Sequence, residues 1–129
     1  MTTVAEIMTR EVLSVDPAVL LVEAAERMHE RHVGAALVLE GEQLLGILTE
    51  RDLLRAVASR TIEGETVADW MTHHPETIEP SDTTGHAATL MIHGGFRHLP
   101  VLEDGRVVGV ISIRDLMRIT LDDQSPRGA

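Results

Sequence analysis

The 129-residue chain contains no cysteine, which excludes disulfides, thiolate metal centres and cysteine nucleophiles. Aromatic side chains are nearly missing too: there is one tryptophan, Trp70, one phenylalanine, Phe96, and no tyrosine. A core must therefore be built from Leu, Ile, Val, Ala and Met, which suits helices packed on short aliphatic strands. The stacking platforms that single-stranded nucleic acids use lack their usual material. Positive charge is scarce, with 11 Lys and Arg against 21 Asp and Glu and a net charge of −10. That balance argues against nucleic acid or an anionic membrane as partner, while leaving room for a small anion held by a few local arginines. No apolar run approaches the ~20 residues that span a bilayer, and no basic stretch followed by an apolar one opens the chain. A cytoplasmic protein is the expectation.

What the chain does have is an internal repeat. Hydrophobic content of 43% and charged content of 25% are ordinary for a globular protein, but their order is not. Moving the chain along itself from Val4 to Val67, an offset of 63 residues, aligns it without a gap. "VAEIMT" falls on "VADWMT", "SVDP" on "TIEP", and "GILTERDLLR" on "GVISIRDLMR". Agreement this long at one spacing indicates two copies of a supersecondary unit that share a buried face. The copies are assigned to residues 1–60 and 67–120, with a polar linker at 61–66 and a disordered tail at 121–129.

Each copy reads as β-α-β-β-α, an α/β (α+β) pattern. A short helical segment at Val4–Met8 precedes a strand at Leu13–Val15. Asp16-Pro17 marks the start of a helix from about Val19 to His32, whose Leu21, Ala24, Ala25 and Met28 fall at helical spacing. "GAALVLE" and "LLGILT" form a hairpin around "GEQ", and Glu50–Ser59 continues as a helix. In the second copy Gly94-Gly95 stops the helix and Asp104-Gly105 makes the hairpin turn.

Thr49 with Asp52, and Ser112 with Asp115, recur where a strand hands over to a helix. A hydroxyl N-cap with an acid three residues on resembles a capping box, worth roughly 0.5–2 kcal/mol. The usual partner is Glu or Gln, so the shorter Asp is expected to reach its own helix start less easily and to face a cleft instead. A strand–helix junction presents free N–H groups and a favourable dipole to phosphate. A carboxylate there accepts two hydrogen bonds from a vicinal diol, as on ribose, and Arg51 and Arg114 supply phosphate donors. Diol, phosphate and an apolar slot together describe a nucleotide.

The doubled Gly-h-h-Thr/Ser-x-x-Asp ending, "IMT" and "WMT" at the starts, and "RHLPVLEDGRVVGVIS" resemble a tandem pair of CBS domains, the Bateman module, over about Val4 to Arg118. The resemblance implies two β-α-β-β-α repeats packed about a pseudo-twofold axis through their sheets. It also implies adenosine-containing ligands: AMP, ADP, ATP, NAD(H) or S-adenosylmethionine. Asp52 or Asp115 would hold the ribose, with Thr49 or Ser112 beside it. Ser14-Val15 and Thr77-Ile78, with Ala35-Ala36 and His98-Pro100, would line the base pocket. Apart from the resemblance, Arg51, Arg55, Arg97, Arg114 and Arg118 are all candidates to reach the phosphate end of such a ligand, and the sequence does not choose among them. The first copy departs from the pattern, with Gly34 and Leu37 where the second has Arg97 and Pro100.

Other signals are weaker. His29 and His32, or His86 and His93, share helix faces but lack a third ligand or a His-Glu-x-x-His pattern, so no metal and no resident cofactor are expected. No nucleophile, base or paired carboxylates mark a catalytic site, so the chain is not expected to be an enzyme. The expectation is a regulatory nucleotide-sensing module, homodimeric, acting through dimer geometry or an effector protein. A scaffold with empty clefts, whose work is dimerisation, is the rival reading. A small nucleotide-converting enzyme is a third.

Overall fold

The computed structural model describes residues 1–60 and 62–124. In chain order its elements are α1 (Val4–Ile7), β1 (Ser14–Val15), α2 (Leu21–Arg31), β2 (Ala35–Glu40), β3 (Gln43–Thr49), α3 (Glu50–Ser59), α4 (Val67–Trp70), β4 (Thr72–His73), α5 (Thr84–Gly94), β5 (His98–Glu103), β6 (Arg106–Ser112) and α6 (Ile113–Gln124). The chain is mixed α/β and repeats its plan, as the sequence implies. Helix α6 runs on to Gln124, and the rest of the expected tail, 125–129, lies outside the described residues.

Two compact units form. The contiguous unit is Glu11–Pro75; the composite unit joins Met1–Arg10 to the described residues from Glu76 on. Neither coincides with a sequence repeat, because the leading segment of each copy folds with the other copy's hairpin. Linker residues take part in the contiguous unit: Leu21 donates its N–H to the Glu65 carbonyl at 2.9 Å, and Thr66 bridges Leu20.

In the contiguous unit the sheet order is β1-β2-β3-β4. β1 lies parallel to β2, with Ser14 beside Leu37 and Val15 beside Val38. β2 and β3 make an antiparallel hairpin from Ala35–Thr49 down to Glu40–Gln43. Period-2 alternation directs Ala36, Val38 and Leu48 to one face, where they meet Leu13, Val15 and the Leu21, Ala24 and Met28 stripe of α2. The composite unit has the same layout, with its outer strands reduced to bridges. Ile78 lies parallel to Val101 and Thr9 antiparallel to Val110, around the β5–β6 hairpin. Its core is Val4, Met8, Ile78, Ala87, Met91, Leu99, Val101 and Ile111. The hairpin turns through Asp104 (φ 53°) and Gly105 (φ 79°), two successive left-handed residues as a type I′ turn requires.

The start of α2 corrects the sequence reading. Asp16 does not cap the helix; its Oδ1 accepts from the Ala18 N–H at 2.9 Å, closing a separate turn. The N-cap is Leu20, which has no side-chain acceptor to offer. Its counterpart, Thr83, caps α5 by accepting from the His86 N–H at 3.1 Å.

Two glycines explain the Met-Thr motifs. A Cβ on Gly109 would sit 2.8 Å from both Met8 Sδ and the Thr9 carbonyl oxygen. One on Gly46 would sit 2.6 Å from the Thr72 carbonyl oxygen and 2.9 Å from Met71 Sδ. Each Met-Thr pair thus crosses a strand at a point where no side chain fits.

Candidate functional site

The structure places Thr49 at the N-cap of α3 and Asp52 at its third position. Thr49 is extended (φ −119°, ψ 167°), which brings its own N–H within 2.9 Å of Asp52 Oδ2. The Thr49 hydroxyl donates to the same oxygen at 3.1 Å, and the Asp52 N–H donates back to Thr49 Oγ1 at 3.4 Å. Ser112 and Asp115 repeat the arrangement: Ser112 N–H to Asp115 Oδ2 is 2.9 Å, Ser112 Oγ to Oδ2 3.0 Å, and Asp115 N–H to Ser112 Oγ 3.2 Å. The short carboxylate, expected to reach its own helix start less easily, reaches it fully in both copies. With an extended N-cap, Asp closes the box as Glu does.

A third box shows what is particular about these two. Thr66 N–H lies 2.8 Å from Asp69 Oδ2 and Thr66 Oγ1 3.0 Å, yet Asp69 is exposed. That Thr66 backbone bond and the Glu65 side chain hold the Asp69 carboxyl below its ordinary 3.8. By contrast, Asp52 is 2% and Asp115 8% exposed, the buried charged residues of the described chain. Burial of an ionised group is costly unless it is bonded, and the cap engages only Oδ2 of each.

The remaining oxygens differ. Asp52 Oδ1 accepts from Arg55 Nη1 at 2.9 Å, and the Arg55 guanidinium carbon lies 5.8 Å from the centre of the Trp70 ring. Asp115 Oδ1 is 3.9 Å from Arg118 Nη1, beyond hydrogen-bond distance. The Trp70 Nε1 is buried without an acceptor among the described residues.

The other expected site residues sort by element. Ala35 faces Thr49 across the hairpin and Ala36 pairs with Leu48; His98 faces Ser112 and Pro100 pairs with Val110. Val15, Ala36, Ile78 and Pro100 are buried, so their side chains serve the core. Ser14, Thr77, Arg51, Arg97 and Arg114 are exposed. Ile113 N–H bonds the Arg97 carbonyl at 2.9 Å, as Glu50 N–H bonds that of Gly34 at 3.1 Å, tying each hairpin start to the helix that carries the aspartate. Thr77 and Ile78 instead border a hollow of about 500 Å³ with Glu79, Asp82 and Asp104. Its acid-rich lining is unsuited to phosphate, and it does not include Ser112 or Asp115. The Arg55–Trp70 contact was missed in the sequence; its signal was Trp70 standing where the other copy has Ile7.

His29 and His32, with ring centres 6.4 Å apart, border a hollow of about 330 Å³ beside Glu50. Among the described residues no three His, Asp or Glu converge as a metal site. No described helix is long and apolar enough to cross a membrane.

Comparison with known proteins gives the family context. A family model described as CBS domain matches residues 4–59 and again 67–122. A 17.7 kDa protein of Acidianus ambivalens is 37% identical over 123 residues, 94% of this chain and 74% of its own length. Another curated relative, from Methanocaldococcus jannaschii, is 33% identical, and the chain spans 43% of its length. Among solved structures, a CBS-domain protein from Burkholderia ambifaria MC40-6 matches with a TM-score of 0.90 at 34% identity, covering 99% of this chain and 100% of that one. A CBS-domain protein from Pyrobaculum aerophilum, complexed with AMP, matches with a TM-score of 0.85 at 29% identity, covering 93% and 96%.

Proposed function

The chain belongs to the CBS-domain family, as two tandem copies, and from that premise we propose that it is a regulatory module binding an adenosine-containing ligand at Asp52 and Asp115. One observation carries the reading: a nearly buried carboxylate stands at the same strand–helix junction in each unit, with one oxygen beyond what its helix cap uses. A ribose diol donates two hydrogen bonds, and such a carboxylate is its natural acceptor. The AMP complex of the Pyrobaculum relative supports the ligand class. Arg51 and Arg114, exposed on the first turns of α3 and α6, supply charge for phosphate. The ligand acts by linkage: it shifts the population of a state by its differential affinity for that state and no further.

No catalytic step belongs to this reading. Its output passes to a second copy or an effector protein. Leu54 and Val57 on α3, and Met117 and Leu121 on α6, are each more than half exposed and suit pairing with another copy. The scaffold reading is favoured by one fact, that the hydroxyl–aspartate pairs are complete helix caps without any ligand.

A thermal-shift panel with AMP, ADP, ATP, NADH and S-adenosylmethionine tests it. A ligand at a hundred times its Kd stabilises by about 2.7 kcal/mol, a rise on the order of 10 °C for a chain this size. The rise should diminish in Asp52→Ala or Asp115→Ala. No rise with any of the five favours the scaffold.

A further inference from the structure

The two candidate sites carry the same cap but not the same second oxygen. We propose that Arg55 and Trp70 form a latch over Asp52, so that the Asp115 site is open while the Asp52 site admits a ribose diol only after Arg55 lets go. The inference rests on the nucleotide-binding reading and adds to it an order between the sites.

In both copies Oδ2 already accepts a backbone N–H and a hydroxyl, so the diol must be received at Oδ1. In the contiguous unit that oxygen is held by Arg55 at 2.9 Å. Arg55 is 59% exposed and would by itself be a weakly held surface cation. Trp70 changes this, because its ring lies 5.8 Å from the guanidinium, within cation–π range. In the composite unit Arg118 is the counterpart of Arg55 and Ile7 that of Trp70. Isoleucine has no π face, and Arg118, 69% exposed, stands 3.9 Å from Asp115. Among the described residues nothing is hydrogen-bonded to Asp115 Oδ1. The difference of one ring between the copies therefore separates a carboxylate whose second oxygen is hydrogen-bonded to its arginine from one whose second oxygen is only loosely ion-paired.

Arg55 could instead serve phosphate, so the test uses adenosine, which has none, alongside AMP. In an Asp115→Asn background, calorimetry reads the Asp52 site alone. Arg55→Met and, independently, Trp70→Ile should tighten adenosine binding there about three- to tenfold, the scale of one exposed ion pair with its cation–π partner. Unchanged or weaker adenosine binding in both variants overturns the latch. A second readout needs no ligand, since Trp70 is the single tryptophan. Its emission should shift in Asp52→Asn and stay fixed in Asp115→Asn. Equal responses of the two variants overturn the latch even where nucleotides bind. An emission shift specific to Asp52→Asn, with no adenosine or AMP heat in any variant, supports the contact and overturns the binding reading beneath it.

Discussion

Gly109→Ala is the perturbation that tests the exchanged construction most directly. The new methyl would lie 2.8 Å from Met8 Sδ and 2.8 Å from the Thr9 carbonyl oxygen. The methionine end can swing away, but the carbonyl cannot. Thr9 is fixed by two backbone bonds, its N–H to the Val110 carbonyl at 2.8 Å and the Val110 N–H to its own carbonyl at 2.9 Å. Relief therefore requires that the bridge open or β6 bend, and overpacking of this kind costs about 1–3 kcal/mol. At about 2 cal/mol/K of unfolding entropy per residue, that corresponds to a fall in Tm of roughly 4–11 °C. Calorimetry gives the size and amide hydrogen exchange the place: protection should drop at Thr9 and Val110, at opposite ends of the sequence. Adding Met8→Ala should not restore it, because the Thr9 oxygen remains in the way. A Gly109→Ala protein that melts within 1 °C of the parent, or loses protection in the β2–β3 ladder instead, refutes the reasoning.

Further tests reach other elements. Ser112→Ala removes the hydroxyl that caps the start of α6 and leaves the buried Asp115 short of a donor, so urea denaturation should show a loss of about 1–2 kcal/mol. Gly94→Ala drives a methyl into the Phe96 ring and should cost about 1–3 kcal/mol by the same assay. The Asp69 carboxyl is held low by the Thr66 N–H first and by Glu65 next. Its stabilising effect is therefore complete above its ordinary 3.8 and is lost as pH falls through the lower folded value; an NMR titration should find the carbon signal moving below 3.8. Leu54→Glu, on the exposed face of α3, should shift sedimentation toward a monomer, and an unchanged profile would remove that face from the pairing surface.

Much of the fold was legible because it is written locally. The β5–β6 hairpin follows from Asp104-Gly105, whose positive φ values few other pairs adopt, and α3 begins at Glu50 because Thr49 caps it. What was misread is where two local signals compete. Asp16-Pro17 has the chemistry of a helix start, but Asp16 spends its side chain on a turn. Side-chain length alone understates the Asp52 cap, because the extended Thr49 backbone brings donor to acceptor. The pairing of Thr9 with Val110 was not legible at all, since contacts across such a separation leave no period in the sequence. The Arg55–Trp70 contact spans two elements, α3 and α4, for the same reason.

The division into a contiguous and a composite unit also has a meaning in time. A chain made from its N-terminus completes residues 11–75 early, and everything that unit needs is then available. The first ten residues have nothing to fold against until Pro80–Thr84 and then β6 have been made, about 75 to a hundred residues later. The loop so closed is long, and its entropy grows only logarithmically with length, so the penalty falls on rate more than on stability. The early unit thus matures as an insertion within a later one whose opening segment is held in waiting.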